Sequence, residues 1–257
     1  MKNRIVKILL ILGVMAISMS CAKKESSGVD GGKKKYIVAT DTSFPPFEFK
    51  DSNNEYVGID IDLVKKIAEL EGFEVEFRPM DFGGIIPALQ SGQVDAAIAG
   101  ASITEERKQT VDFSEPYYET GVIAVVKDDN NSIKTIDDLA GKKIAVKNGT
   151  EGAKLAEDAL KGKSNISVFE DSVSMYKAVE NGQADAAFED LPVAGYTIKI
   201  TPDSKLKIAT EKLTSGNYGF MTKKGANTEL MEKFNKGLKT LKESGEYDKI
   251  VEKYIGK

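Results

Sequence analysis

The chain has 257 residues, 41% of them hydrophobic and 30% charged, with a net charge of −4. That is a globular balance in a length that suits one large domain or two small ones, and the interspersed signs argue against nucleic acid as a partner. The lack of His removes imidazole acid–base chemistry and imidazole metal ligands, and the single Cys removes a disulfide framework or a Cys-rich metal site. No cofactor or metal is expected.

The opening stretch MKNRIVKILLILGVMAISMSC carries Lys2, Arg4 and Lys7 ahead of an apolar run from Ile8 to Ile17. Its charge and length fit a signal peptide and are short for a membrane span. Small residues lead into Cys21 in a pattern similar to a bacterial lipoprotein processing site, although Ser18 stands where Leu is usual. Residues 1–20 are therefore read as a leader, and Cys21 as a lipidated new N-terminus. Residues 21–35, polar and rich in Gly, Ser and Lys, are read as a flexible tether.

YIVAT at 36–40 is a short β-rich run, and the Pro45-Pro46 stretch after it is a loop. IDIDLVKKIAELEG has apolar residues at helical spacing and closes on Gly72. FEVEFRPM alternates as a strand, FGGIIPALQSG is a short helix stopping at Gly92, and VDAAIAG is a buried strand. The pattern then restarts. TGVIAVVKD, KKIAVKNG, ISVFED and ADAAFED read as strands, with TIDDLAG, TEGAKLAEDALKG and SVSMYKAVENG as helices between them. LKIATEKLTSGNYGFMTKKG returns a strand or two, and amphipathic helices close the chain. Two β-α-β-α-β units call for two α/β lobes, each a mostly parallel sheet with flanking helices.

An echo supports the tandem reading: SGQVDAAIAG at 91–100 returns as NGQADAAFED at 181–190. Asp95 and Asp185 are read as turn-fixing carboxylates that accept backbone N–H bonds. In open α/β sheets ligands collect outside the carboxyl ends of the strands, so the ends AIAG and AFED mark the place to look. The first lobe supplies Gly100, Ser102 and Arg107, with Thr104 as N-cap of a short helix. Arg107 is a candidate carboxylate clamp, because a guanidinium offers a planar fork that Lys lacks. The second lobe supplies the 147–152 loop, with Lys147, Thr150 and Glu151, and Asp190 as an acceptor for an ammonium. Phe44 and Phe82, placed in loops after strands, are candidate flat walls for a small ligand.

ATDTSFPPFEF, VGIDIDL, MDFGGIIPALQSGQVD, ITEERKQTVDFSEPYY and AVKNGT resemble the polar amino acid-binding proteins of ABC importers, and among them most resemble the glutamine-binding proteins. The likeness runs from about Tyr36 to the C-terminus. It implies a two-lobed periplasmic-binding-protein fold of type II, joined by two hinge strands near 117–121 and 214–218. The first lobe would comprise 36–118 and 218–257, and the second 119–217. It implies that Arg107 and Ser102 grip the ligand carboxylate, while the Gly100 carbonyl and Asp190 take the ammonium. Phe44 and Phe82 would sandwich the side chain, with Asp41 and Lys147 meeting a neutral amide. It further implies a monomer that hands its ligand to an ABC permease from a lipid anchor on the outer side of the membrane. Two positions depart from the glutamine binders: Glu189 stands in place of a His, and Glu151 in place of a small residue. These carboxylates tilt the pocket toward arginine unless Glu189 pairs with Lys147. Free glutamine is the first choice of ligand and arginine the alternative.

An enzyme is the rival class. The fold family includes dehydratases, and a cyclohexadienyl-dehydratase-like activity or an amino-acid sensor would use the same pocket. The sequence has no nucleophile elbow, P-loop, HExxH or Cys/His metal spacing, so no catalytic residue is assigned.

Overall fold

Two copies of one unit build the molecule. A computed structural model describes residues 33–256; the leader, Cys21 and the tether as far as residue 32 lie outside the described residues. β1 (Lys35–Asp41) is followed by a small hairpin of β2 (Phe49–Lys50) and β3 (Tyr56–Val57), then by α1 (Ile59–Glu71), β4 (Glu74–Met80), α2 (Phe82–Ser91) and β5 (Ala96–Ala97). β6 (Val111–Phe113) and β7 (Tyr118–Thr120) lead out of this unit. The second comprises β8 (Val122–Lys127), β9 (Lys143–Lys147), α3 (Glu151–Leu160), β10 (Asn165–Phe169), α4 (Ser172–Glu180), β11 (Ala186–Asp190), α5 (Leu191–Ile200) and β12 (Leu206–Ile208). β13 (Gly216–Tyr218) returns to β14 (Met221–Lys223), α6 (Thr228–Ser244) and α7 (Glu246–Ile255).

The sheets have matching orders, β4-β1-β5-β14-β6 and β10-β9-β11-β8-β12. In each, the first three strands are parallel and the fourth runs against its neighbours. Each sheet is covered on both faces. In the first, Leu63, Val64 and Ile67 of α1 share a core with Phe234 and Leu238 of α6, while Ile85 and Leu89 of α2 pack in a separate core with Ala97 and Met221. Phe220 and Phe234 stack within the α1–α6 core at 4.2 Å between centroids. In the second, Ala156 and Leu160 of α3 and Met175 and Val179 of α4 belong to different cores. This double covering explains why β8 reads as a continuous apolar run, with no solvent face to alternate toward.

The echoed aspartates do more than fix a turn. Asp95 accepts the Ile37 N–H at 2.8 Å and returns its own N–H to the Ile37 carbonyl at 2.8 Å. Asp185 does the same with Lys143, at the same distances. Each carboxylate therefore ties the start of the echoed strand to its parallel neighbour, β1 in one unit and β9 in the other. β7 and β13 pair antiparallel, Tyr118 opposite Tyr218, and form the two-stranded ribbon between the lobes.

Several elements differ from the sequence reading. Residues 49–57 form a hairpin rather than a plain loop, and the predicted helix at 135–141 is one 3-10 turn, Asp137–Leu139. The segment after AFED is helix α5, which the sequence reading does not anticipate. Pro192 in its first turn is the available signal, hidden by Gly195 and a β-branched end.

Candidate ligand-binding site

The carboxyl ends of β1, β5, β9 and β11 converge on one narrow cleft, nearly filled by its own side chains. Its walls include Phe44, Phe82, Gly100, Ser102 and Arg107 from the first lobe. Lys147, Thr150, Glu151, Glu189 and Asp190 line it from the second. Asp41 ends β1 and reaches the cleft through a bond to Lys147. The residues singled out in the sequence therefore come together.

Gly100 is a position only glycine fills. Its φ is +52°, and a Cβ there would lie 2.4 Å from Cε1 of Phe44. Its N–H donates to Asp60 Oδ2 at 2.9 Å, and the Tyr117 hydroxyl donates to the same oxygen at 2.8 Å. Asp60 is fully buried, and burial raises its pKa to about 6 against these two donors. Beneath it, Glu48 is buried and pushed well above the usual carboxylate range by desolvation and by Asp60. The cleft-lining glycine thus rests on a buried acid pair.

Arg107 opens a 3-10 turn whose N-cap position is Glu106 and not the expected Thr104; Thr104 Oγ1 still accepts the Arg107 N–H at 3.2 Å. The guanidinium is nearly buried. Nη1 donates to the Ser102 carbonyl at 2.7 Å and Nη2 to the Gly149 carbonyl, across the cleft, at 2.9 Å. It lies 5.4 Å from the centroid of Phe82. Burial pulls its pKa down while Glu151 and Asp190 hold it up, so it remains a cation. Ser102 orients Arg107 with its backbone carbonyl, a contact that the expected role for its hydroxyl did not include. Phe82 is the first residue of α2 and not part of a loop, so its ring is held on a rigid element.

In the second lobe, Thr150 caps α3: its hydroxyl accepts from the Ala153 N–H at 3.2 Å and donates to the Lys147 carbonyl at 2.8 Å. Glu151 follows as the first helical residue. Asp190 caps the strand-to-helix corner before α5 and accepts from the Tyr218 hydroxyl on the connecting ribbon. Burial lifts Asp190 to about 6, opposed by that bond and by Arg107. Glu189 is lifted to about 7 by burial and by Asp190, opposed by Lys147.

Lys147 and Asp41 form a buried ion pair with each other. The Lys147 ammonium lies 4.8 Å from the centroid of Phe44 and 5.7 Å from that of Phe82, inside the aromatic slot. Of the partners that the sequence leaves open for Lys147, the structure pairs it with Asp41 across the cleft. The lobes also touch where a Cβ on Gly149 would lie 3.2 Å from Cα of Gly83, and where Phe49 meets Tyr196 of α5 at 6.3 Å.

Sequence reading missed Phe188 and Gly152 in the wall and Tyr218 as the partner of Asp190. Phe188 is visible inside the echoed AFED strand; Tyr218 stands out in the sequence only as a hinge end. Among the described residues no group of three or more Asp, Glu or Cys side chains could hold a metal ion, and no helix is long and apolar enough to cross a membrane.

Comparison with known proteins gives this geometry relatives. The family model for bacterial extracellular solute-binding proteins, family 3, matches residues 36–257. The arginine-binding extracellular protein ArtP of Bacillus subtilis (strain 168) is 32% identical over 263 residues, covering 96% of this chain and 96% of its own. An ancestral arginine-binding protein bound to arginine superposes with a TM-score of 0.83 at 45% identity, over 88% of this chain and 100% of that one. An ancestral arginine-binding protein bound to glutamine gives 0.82 at 45% identity, over 88% and 99%.

Proposed function

This chain belongs to the bacterial extracellular solute-binding proteins, family 3, and from that premise we propose that it captures a polar L-amino acid outside the cytoplasm and delivers it to an ABC importer, with arginine the favoured ligand. The observation that carries the choice is the charge of the cleft. Asp41, Glu151, Glu189 and Asp190 face Arg107 and Lys147. A bound α-amino acid uses Arg107 for its carboxylate and Asp190 with the Gly100 carbonyl for its ammonium. Lys147 offsets one further acid, which leaves the cleft short of a cation. A guanidinium side chain supplies it and stacks between Phe44 and Phe82. Relatives that bind arginine support the same choice.

Capture proceeds by closure. The ligand docks on Arg107, Ser102 and the Phe walls of the first lobe, and the second brings Asp190, Glu151 and the start of α3. Expelling water strengthens each charged interaction, and only what the ligand gains from the second lobe favours the closed state. No step in this reading is chemical: the ligand is bound and released unchanged. The leader and Cys21 support an extracytoplasmic protein held to the membrane by lipid, and Cys21→Ser releases it if this reading is correct.

A second reading, glutamine, is favoured by the Lys147–Asp41 pair, whose two ends suit an amide, and by a relative bound to glutamine. Calorimetric titration of unfolded and refolded protein with the twenty amino acids separates the readings. Arginine tightest supports the first, glutamine tightest supports the second, and silence for all twenty rejects both.

A further inference from the structure

One buried carboxylate in the cleft is not used by the headgroup. Glu189 Oε1 accepts the Asp190 N–H at 3.0 Å, and Oε2 has no hydrogen-bond partner. The buried Ser172 and Tyr176 hydroxyls adjoin Glu189 as its polar neighbours. β9 and β11 run parallel, with Ala186 opposite Ile144 and Ala187 opposite Ala145. The same register carries Glu189 to Lys147, and in-register neighbours on adjacent strands project to one face about 5 Å apart. Lys147 therefore has two carboxylates within reach of its flexible stem. Asp41 belongs to the other lobe and leaves when the lobes part; Glu189 travels with Lys147.

In this closed form the ammonium sits on Asp41 and fills the slot between Phe44 and Phe82. A guanidinium cannot enter the same dry slot beside that ammonium, because two like charges at close range in low dielectric repel strongly. We propose that Lys147 is a two-position gate. On Asp41 it shortens the slot and presents a donor to a neutral amide. On Glu189 it clears Phe44, Phe82 and Asp41 for a guanidinium. One cleft then accepts glutamine in one setting and arginine in the other. Glu189 is a positioning residue that acts through Lys147, and the proposal rests on the amino-acid reading above.

The test is a double-mutant cycle read with both ligands. Arginine and glutamine are titrated into wild type, Glu189→Gln, Lys147→Met and the double variant, each checked for folding by thermal unfolding, with Glu189→Met replacing any glutamine variant that fails to fold. The gate predicts that Glu189→Gln weakens arginine at least about tenfold and glutamine less than about threefold. In the Lys147→Met background the same change moves arginine less than about threefold, because no ammonium then needs a second partner. An equal loss of arginine in both backgrounds, or an equal loss of both ligands, overturns the gate. Wild-type binding of only one of the two amino acids also overturns it, while leaving the amino-acid reading standing. Binding of neither rejects that reading itself.

Discussion

In the first repeat the leading strand ends on Asp41; in the second the corresponding strand ends on Lys147, and the two meet across the cleft. The correspondence follows from the tie between Asp95 and Ile37 in one unit and Asp185 and Lys143 in the other. The echoed strands run on to Gly100 in one unit and Asp190 in the other. Gly100 takes φ +52° under Phe44, while Asp190 is extended at −75° and starts a helix. Ala99 corresponds to Glu189. A shared frame is thus filled with opposite chemistry at its carboxyl ends. The first lobe carries the fixed cation and the aromatic walls, and the second carries most of the cleft carboxylates.

That division is broken most severely at Arg107. Arg107→Ala removes the docking charge of the first lobe and is expected to cost about 3 kcal/mol of binding, as for one partner of a desolvated charge pair. Calorimetry with arginine reads the loss; affinity within threefold of wild type contradicts the clamp. Asp190→Asn, on the closing lobe, is expected to cost about 2 kcal/mol by removing a charged acceptor while keeping the shape and the Tyr218 contact. If it instead matches wild type, the ammonium is held elsewhere. Gly100→Ala probes the same corner in the other lobe. It is expected to lower folding stability by about 2 kcal/mol, from positive φ and the clash with Phe44, and denaturant unfolding measures it.

Acidity distinguishes the lobes more gently. Asp190 at about 6 and Glu189 at about 7 both titrate on the second lobe. A cationic ligand binds their ionised forms, so arginine affinity should rise by about tenfold from pH 5 to pH 8. Stability of the ligand-free protein moves the other way. Both folded-state values exceed the unfolded ones, so the stability these groups contribute is full at low pH and is lost as pH rises through about 6 to 7. Flat arginine affinity over that range removes the acidic lobe from ligand binding. The smallest effect tests the frame itself. Asp95→Asn and Asp185→Asn should each cost about 1 kcal/mol of stability, equally, with binding unchanged. Unequal costs mean the two ties are not equivalent.

The repeat was legible because its signals are local: helical spacing, a Gly at each helix end, and a shared G-Q-x-D-A-A run. That Arg107, Asp190 and the two Phe residues share one cleft was legible because strand ends and their loops gather at one edge of such sheets. What the sequence hid is what arises between distant segments. Asp41 and Lys147 were each placed near the ligand side chain, yet their pairing depends on how the lobes meet. Glu48 and Asp60 read as loop and helix carboxylates, and only packing under Gly100 buries them. Helix α5 was hidden because tertiary burial of Val193 and Ala194 outweighs a weak intrinsic propensity.

The most direct test is a crystal structure of the arginine complex. The account predicts the ligand carboxylate on Arg107 and its ammonium between the Gly100 carbonyl and Asp190. The guanidinium should lie between Phe44 and Phe82 on Asp41, with Lys147 moved off that carboxylate. A structure with the Lys147–Asp41 pair intact, and the arginine side chain outside the aromatic slot, contradicts it.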